Sequence, residues 1–202
     1  MIVVAEGPSA AGKSRYVRTH DSRRVVDENP GHLKPPATAT AEEESRFWVE
    51  CGERRWAQAV RREAAEGFTV CDTDPLKLHF AWSLARARIA PAPDLFESQL
   101  VLTRAAIARR TLGIADLIAC VIPSEAVLRE RREGDTTRQR RNFDTHVRLA
   151  RPLFEWYGTL NDIDPGRVIR EWPDDSAPSA RSDRDRYDLD LFDTWMEQLP
   201  AV

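Results

Sequence analysis

The pattern of apolar and polar positions alternates between short β-branched runs and longer amphipathic segments. Five apolar runs predict five strands: IVVAE (residues 2–6), the two valines of RRVVDENPG (25–26), FTVC (68–71), IADLIACVIP (114–123) and RVIREW (167–172). The segments between them repeat apolar residues at three- and four-residue spacing and predict helices. Strands that alternate with helices of this size predict an α/β fold with a parallel sheet and right-handed crossovers.

Local signals predict where two of these helices begin or bend. Thr40 and Glu43 have the spacing of a capping box, so we expect a long helix to begin there and to end at Gly67. Residues 142–160 repeat apolar positions at helical spacing. They also contain Pro152, which lacks a backbone N–H and should kink the helix.

Length and composition narrow the class of protein. The 202 residues suit one domain over 1–202, with a polar loop at about residues 173–186. Apolar residues make up 42% and charged residues 31%, as in soluble globular proteins, and the formal net charge of −3 gives general nucleic-acid binding no support. No stretch approaches the roughly 20 apolar residues of a membrane span, and the apolar start lacks the basic leader of a secretory signal. We expect a cytoplasmic protein with neither a nucleic-acid nor a membrane partner, and a homodimer is left open.

The three cysteines carry no pattern of a disulfide or a zinc site. Cys51, Cys71 and Cys120 are odd in number and far apart in the chain. Cys71 and Cys120 lie inside predicted strands, so we expect buried thiols there.

The segment GPSAAGKS, residues 7–14, is the strongest chemical motif. It satisfies G-x-x-x-x-G-K-[ST] and lies between a predicted strand and a predicted helix. In such a loop the backbone N–H groups surround phosphates, the lysine meets the β- and γ-phosphates, and the hydroxyl binds Mg²⁺. We therefore predict an ATP and Mg²⁺ site formed by Gly7, Ser9, Ala10, Ala11, Gly12, Lys13, Ser14 and Arg15, with Lys13 also catalytic and Ser14 a metal ligand. The alternative is a chance Gly-Lys-Ser turn.

An arginine-dense segment, RERREGDTTRQRR at residues 129–141, is the second candidate. Its central Gly-Asp-Thr-Thr break predicts a hinge. Guanidinium groups folded over a migrating phosphoryl group can stabilise the charge on its oxygens. We predict a lid over about residues 129–141, in which Arg132 and Arg138 are catalytic. The alternative is a solvated basic helix balanced by neighbouring acidic residues.

Two stretches, GPSAAGKS and ADLIACVIPSEAVLRERREGD (residues 115–135), resemble the P-loop kinases of the nucleoside and nucleotide kinase group. The nearest patterns are those of the deoxynucleoside and thymidylate kinases. The resemblance implies a three-layer P-loop NTPase fold. Its five-stranded parallel sheet would have the order 2-3-1-4-5, with helices on both faces and an arginine-rich lid.

The same resemblance implies roles for acidic residues at strand ends. An acidic residue after the second strand serves such enzymes as the base toward the acceptor hydroxyl, a place occupied here by Asp27, or by Glu28 if the register slips. An acidic residue after the third strand commonly supports Mg²⁺ or the acceptor, a place matched by Asp72, with Asp74 as its neighbour. These residues follow parallel strands, whose carboxyl ends form the usual ligand crevice of open α/β sheets.

The chain also departs from that family. CDTDP (residues 71–75) lacks the arginine that usually follows the acid, and VVDENPG (25–31) lacks the Glu-Pro pair, so the acceptor need not be a common nucleoside. We predict ATP-dependent transfer of the γ-phosphoryl group to a hydroxyl of a small nucleoside- or nucleotide-like molecule. The alternatives are an antibiotic-inactivating O-phosphotransferase, because the chloramphenicol phosphotransferases share this loop and fold, and a P-loop ATPase switch.

Aromatic residues could form the walls of the acceptor site. The candidates are Trp48, Trp56, His79, Phe80 and Trp82. Aromatic side chains at helical spacing are more often part of the core, so each is a core residue by default.

Overall fold

A computed structural model describes residues 1–28, 34–36, 38–89, 93–135, 142–173 and 183–202. Its strands are β1 (Ile2–Glu6), β2 (Val25–Val26), β3 (Thr69–Asp72), β4 (Leu117–Cys120) and β5 (Val168–Ile169). All neighbouring strands run parallel, and their order across the sheet is β2-β3-β1-β4-β5. The prediction of an α/β fold with a five-stranded parallel sheet in the order 2-3-1-4-5 is confirmed.

Helices connect the strands. They are α1 (Lys13–Val17), α2 (Ala41–Glu66), α3 (Leu78–Arg86), α4 (Pro93–Ala108), α5 (Glu125–Glu133), α6 (Phe143–Arg148), α7 (Ala150–Ile163) and α8 (Leu189–Gln198), and a 3-10 turn (Ser22–Arg24) precedes β2. The predicted ends of α2 are confirmed. Thr40 and Glu43 form the capping box, and Gly67 ends the helix with a φ of +82°.

The predicted kink at Pro152 is wrong, because the chain divides into two helices instead. α6 ends at Arg148 and α7 begins at Ala150, so Pro152 lies in the first turn of α7. A proline is tolerated there because the first N–H groups of a helix have no intrahelical acceptor. In one continuous helix its ring would clash with the carbonyl group of Arg148, four residues earlier.

Both faces of the sheet are buried. Ile2 and Val4 point into a large core that includes four tryptophans, Trp56, Trp82, Trp156 and Trp195. Val3 and Ala5, which alternate with them along β1, pack on the opposite face against α1 and Phe68. The three cysteines are buried free thiols. None of the helices in the described residues has the length and apolar character that a bilayer-spanning segment needs.

A charged cluster closes the amino end of the sheet. We call it the amino-end cluster, and it consists of the amino group of Met1 with Glu63, Asp116 and Arg186. Asp116, which is 1% exposed, accepts a hydrogen bond of 2.7 Å from the backbone N–H of Ile2. Arg186 pairs with both Asp116 and Glu63, and Glu63 also pairs with the terminal amino group. Each charged group in the cluster therefore has an opposite charge beside it.

Candidate functional site

The motif GPSAAGKS, the glycine loop (residues 7–14), joins β1 to α1 at the carboxyl end of the sheet. Gly7 has a φ of +151°, and a Cβ atom there would lie 2.3 Å from the carbonyl oxygen of Val121. Gly12 has a φ of +108° and immediately precedes α1. Only glycine fits the first of these positions without displacing backbone, and glycine adopts the second without strain.

Two cations lie against this loop. Lys13 donates hydrogen bonds to the carbonyl oxygens of Gly7 and Pro8. Arg131, from α5, donates to the carbonyl oxygen of Ala11 at 2.9 Å and approaches that of Ala10 at 3.5 Å. Main-chain carbonyl groups hold both cations, and phosphate oxygens are stronger partners for them.

Ser14 and Asp72 meet beside the loop. The hydroxyl of Ser14 donates to Oδ2 of Asp72 at 3.2 Å, whereas Oδ1 of Asp72 is buried without a hydrogen-bond partner in the described residues. Burial raises the pKa of Asp72, against the opposing effect of Lys13. A divalent cation would stabilise the ionised carboxylate and use the unpartnered oxygen.

This pair fits Mg²⁺ better than a cation that needs a cage of protein ligands. The described residues contain no group of three or more His, Cys, Asp or Glu side chains that could hold a metal ion. Mg²⁺ usually binds one or two carboxylates and completes its shell with water and substrate phosphates. Ser14 and Asp72 supply ligands of that kind.

A buried polar network lies directly beneath the loop. Glu6, the last residue of β1, is 3% exposed and accepts hydrogen bonds from the backbone N–H groups of Gly7 (2.8 Å) and Asp74 (3.1 Å). Nε2 of His79 lies 3.5 Å from its carboxylate. Tyr157 donates to Oδ2 of Asp74 at 2.9 Å. The network therefore ties the base of the loop to the chain that follows β3.

Burial has opposite effects on the groups of this network. It raises the pKa of Asp74 to about 6 and lowers that of His79 to about 4. Burial also opposes charge on Glu6, but His79, Lys13 and the two backbone amides outweigh it, so the pKa of Glu6 lies below its ordinary value. The carboxyl group of Glu6 is therefore ionised at pH 7. Glu6 is not among the site residues predicted from the sequence, although an acid that ends an apolar strand directly before glycine is a visible signal.

Arg55 of α2, which the sequence analysis also missed, joins the ends of β2 and β3. It is 6% exposed and donates to the carbonyl oxygens of Asp27 (3.0 Å), Asp72 (2.6 Å) and Thr73 (2.9 Å). α2 approaches this region closely, since a Cβ atom on Gly52 would lie 2.4 Å from the carbonyl oxygen of Pro75. Thr73 is held with a φ of +67°, which is unfavourable for a β-branched residue. The strand ends are therefore fixed by one buried guanidinium group.

A cavity of about 1230 Å³ opens at this edge of the sheet. On its loop side it is lined by the glycine loop, Arg131 and Trp172. Trp172 stacks on Tyr16, with ring centroids 5.1 Å apart. On its helix side, formed by α2, α3, α4, α6 and α7, the large apolar lining residues are Trp48, Phe80, Leu84, Leu95, Leu149 and Leu153.

Most of the predicted nucleotide site comes together in this cavity. All eight predicted binding residues line it: Gly7, Ser9, Ala10, Ala11, Gly12, Lys13, Ser14 and Arg15. Asp72 is joined to the cavity lining by its hydrogen bond with Ser14. Trp48, His79 and Phe80 also line the cavity, whereas Trp56 and Trp82 are each 1% exposed in the core.

The other predicted residues lie elsewhere. Asp27 is exposed and is absent from the cavity lining, which includes Glu28. Arg132 lies over the ring of Phe143, 4.8 Å from its centroid, whereas its neighbour Arg131 contacts the glycine loop. Arg138 and residues 136–141 of the predicted lid lie outside the described residues, as do residues 174–182 of the predicted polar loop.

No protein-family model matches this chain, and a search of curated proteins finds no match either. The likeness to P-loop kinases therefore stays a resemblance of motifs, carried by residues 7–14 and 115–135.

Proposed function

We propose that this protein is an ATP-dependent phosphotransferase of the P-loop kinase type, which transfers the γ-phosphoryl group to a hydroxyl of a small molecule. One observation carries the proposal: the glycine loop and its two cations share a single cavity with the helix side, where large apolar residues form much of the lining. Its volume of about 1230 Å³ exceeds the range of about 300–1,000 Å³ that is typical for one small-molecule ligand. A nucleotide on the loop side leaves room for an acceptor on the helix side.

The loop side has the groups that phosphate binding needs. The backbone N–H groups of the glycine loop and the amino end of the following helix favour phosphate oxygens. Lys13 and Arg131 would exchange their carbonyl partners for those oxygens, because a charged acceptor forms the stronger hydrogen bond. Ser14 and Asp72 would hold magnesium, which when bound neutralises charge on the phosphates.

Glu28 is the best-placed base for the acceptor hydroxyl. It lines the cavity and lies 3.1 Å from Nζ of Lys77, whereas the side chain of Asp27 does not line it. The carboxylate would take the hydroxyl proton while the acceptor oxygen bonds to the γ-phosphorus. The bond from that phosphorus to the oxygen of the departing ADP breaks in the same step.

The test is transfer of labelled phosphate from [γ-³²P]ATP and Mg²⁺ to a panel of nucleosides, nucleotides and hydroxylated antibiotics. We expect ADP release that depends on an added acceptor, with the label recovered in that acceptor. Lys13→Ala should lower transfer by about a thousandfold, because it removes a charge that stabilises the moving phosphoryl group.

Lys34→Ala is the matched control, since Lys34 is exposed and is not part of the cavity lining. It should transfer phosphate at the wild-type rate, and both variants should unfold at the wild-type temperature. A fully active Lys13→Ala variant would contradict the proposal. ATP hydrolysis at full rate without an acceptor would indicate an ATPase switch instead.

A further inference from the structure

The helix side of the cavity is acidic. Its described lining includes the carboxylate of Glu44 and the ammonium group of Lys77, and Glu28, which follows β2, lies beside Lys77. Lys77 already pairs with Glu28 at 3.1 Å. A phosphate or carboxylate group on an acceptor would therefore enter a region where negative charge prevails.

Two histidines that line the cavity do not change the charge of the helix side. Burial lowers the pKa of His79 to about 4. Burial also lowers the pKa of His146, and the positive charges of Lys13 and Lys77 lower it further. Both imidazoles are therefore neutral at pH 7 and add no positive charge for an anionic acceptor.

Glu44 and Trp48 form a distinct feature of this lining. They lie one turn apart on α2, and Nε1 of Trp48 donates to Oε1 of Glu44 at 3.2 Å. The hydrogen bond holds a carboxylate beside an indole ring in the wall of the cavity. A carboxylate next to an aromatic ring favours a positively charged amino group, through ion pairing and the cation–π interaction.

The other residues that line the helix side indicate the chemistry of the rest of the bound molecule. Phe80, Leu84 and Leu95 line it and favour an apolar body. Ser83, which is 1% exposed, also lines it, and its hydroxyl has no hydrogen-bond partner among the residues that the structure describes. A buried hydroxyl without a partner is uncommon, and a polar group of a bound molecule would satisfy it.

We propose that the helix side binds a hydroxylated acceptor with an apolar body and a positively charged amino group, and that it discriminates against acceptors with a phosphate or carboxylate group. Glu44 and Trp48 would contact the amino group. This inference rests on the proposed function and narrows its acceptor, because it excludes nucleotides.

The test compares three probes that share one phenylcarbinol body: 2-amino-1-phenylethanol (cationic), 1-phenyl-1,2-ethanediol (neutral) and mandelate (anionic). Binding of a non-hydrolysable ATP analogue with Mg²⁺ is measured first, and the dissociation constant of each probe is then measured on the loaded protein at pH 7. We expect the amine to bind about tenfold more tightly than mandelate, a difference of about 1.4 kcal/mol, with the diol between them.

Two variants of α2 assign the effect to Glu44. Glu44→Gln should remove most of the preference for the amine and leave the affinity for the diol unchanged. Glu50→Gln is the matched control, because Glu50 lies on the same helix, is exposed and is not part of the lining. It should keep the wild-type order of affinities.

Three results would overturn the inference: mandelate binding as tightly as the amine, none of the probes binding to the loaded protein, or the two variants behaving alike. Any of these leaves the nucleotide site intact as a proposal. Failure of the ATP analogue to bind would contradict the proposed function itself, and this inference with it.

Discussion

The carboxylates at the two ends of the sheet are partnered to different degrees. At the amino end, Asp116 and Arg186 are paired with each other and with further partners in the amino-end cluster. At the carboxyl end, Asp72 keeps one buried oxygen without a hydrogen-bond partner in the described residues, and burial raises the pKa of Asp74 to about 6. Stability alone explains the first arrangement, whereas the second costs free energy.

Backbone strain is also concentrated at the carboxyl end of the sheet. Ala10, Thr73 and Lys77 have φ angles of +70°, +67° and +52°, and all three line the cavity at the carboxyl end. The other non-glycine residues with positive φ in the described part of the chain, Arg88 and Arg110, follow the ends of α3 and α4, where left-handed residues are common. Strained backbone and an incompletely partnered carboxylate that lie at the same edge are typical of a functional site.

We expect the largest change in the free energy of unfolding from a substitution at the amino end of the sheet. Asp116→Ala leaves Arg186 and the backbone N–H of Ile2 without their buried partner, so we expect a loss of about 3–5 kcal/mol in the free energy of unfolding. Chemical denaturation measures it. Asp193→Ala, which breaks a more exposed pair with Arg104, is the control and should cost less than about 1 kcal/mol. Equal losses in both variants would contradict the stabilising role of the amino-end cluster.

The second largest expected effect is a pH dependence of stability, which Asp74 causes at the carboxyl end of the sheet. The carboxyl group of Asp74 has a pKa of 3.8 when unfolded and about 6 when folded, so the folded state binds its proton more tightly. Its contribution to stability is therefore present below pH 3.8 and is lost as the pH rises through 6. Relative to Asp74→Asn, the wild type should lose about 2 kcal/mol between pH 4 and pH 7. Denaturation of both proteins without magnesium measures it, and a difference that does not change with pH would contradict the expected titration.

The smallest effect concerns strain at the two ends of α3. Lys77→Gly and Arg88→Gly each relieve a left-handed strain of about 1–2 kcal/mol, which exceeds the loss of about 0.4–1 kcal/mol that a more flexible unfolded chain causes. The free energy of unfolding should therefore rise by about 1 kcal/mol or less in each variant. Only Lys77→Gly should also alter the KM for the acceptor, because Lys77 lines the cavity and pairs with Glu28. A destabilised Lys77→Gly variant, or an altered KM in Arg88→Gly, would show that strain and function are not linked there.

Much of the fold could be predicted because its signals are local. The run IVVAE, the capping box of Thr40 and Glu43, and Gly67 act through residues that are neighbours in the chain. The outcome at Pro152 could not be predicted, because the same steric clash is relieved either by a kink or by a new helix, and the chain begins a new helix at Ala150.

The candidate site could be predicted only in part, because side-chain direction changes from one residue to the next. Arg131 and Arg132 are adjacent on α5, and a turn of about 100° per residue places the first on the glycine loop and the second over Phe143. Asp27 and Glu28 are also neighbours, directly after β2, and only Glu28 lines the cavity. The role of Arg55 could not be predicted from the sequence, because its partners are backbone carbonyl groups at the ends of distant strands.

The sequence by itself therefore determined the order of strands and helices, the glycine loop and the residues next to it, since each depends on local propensity and spacing. Only the tertiary structure decided which charged side chains share a cavity and which close the opposite end of the sheet. The physical reason is that burial, hydrogen-bond partners and local charge balance arise when segments far apart in the chain pack together.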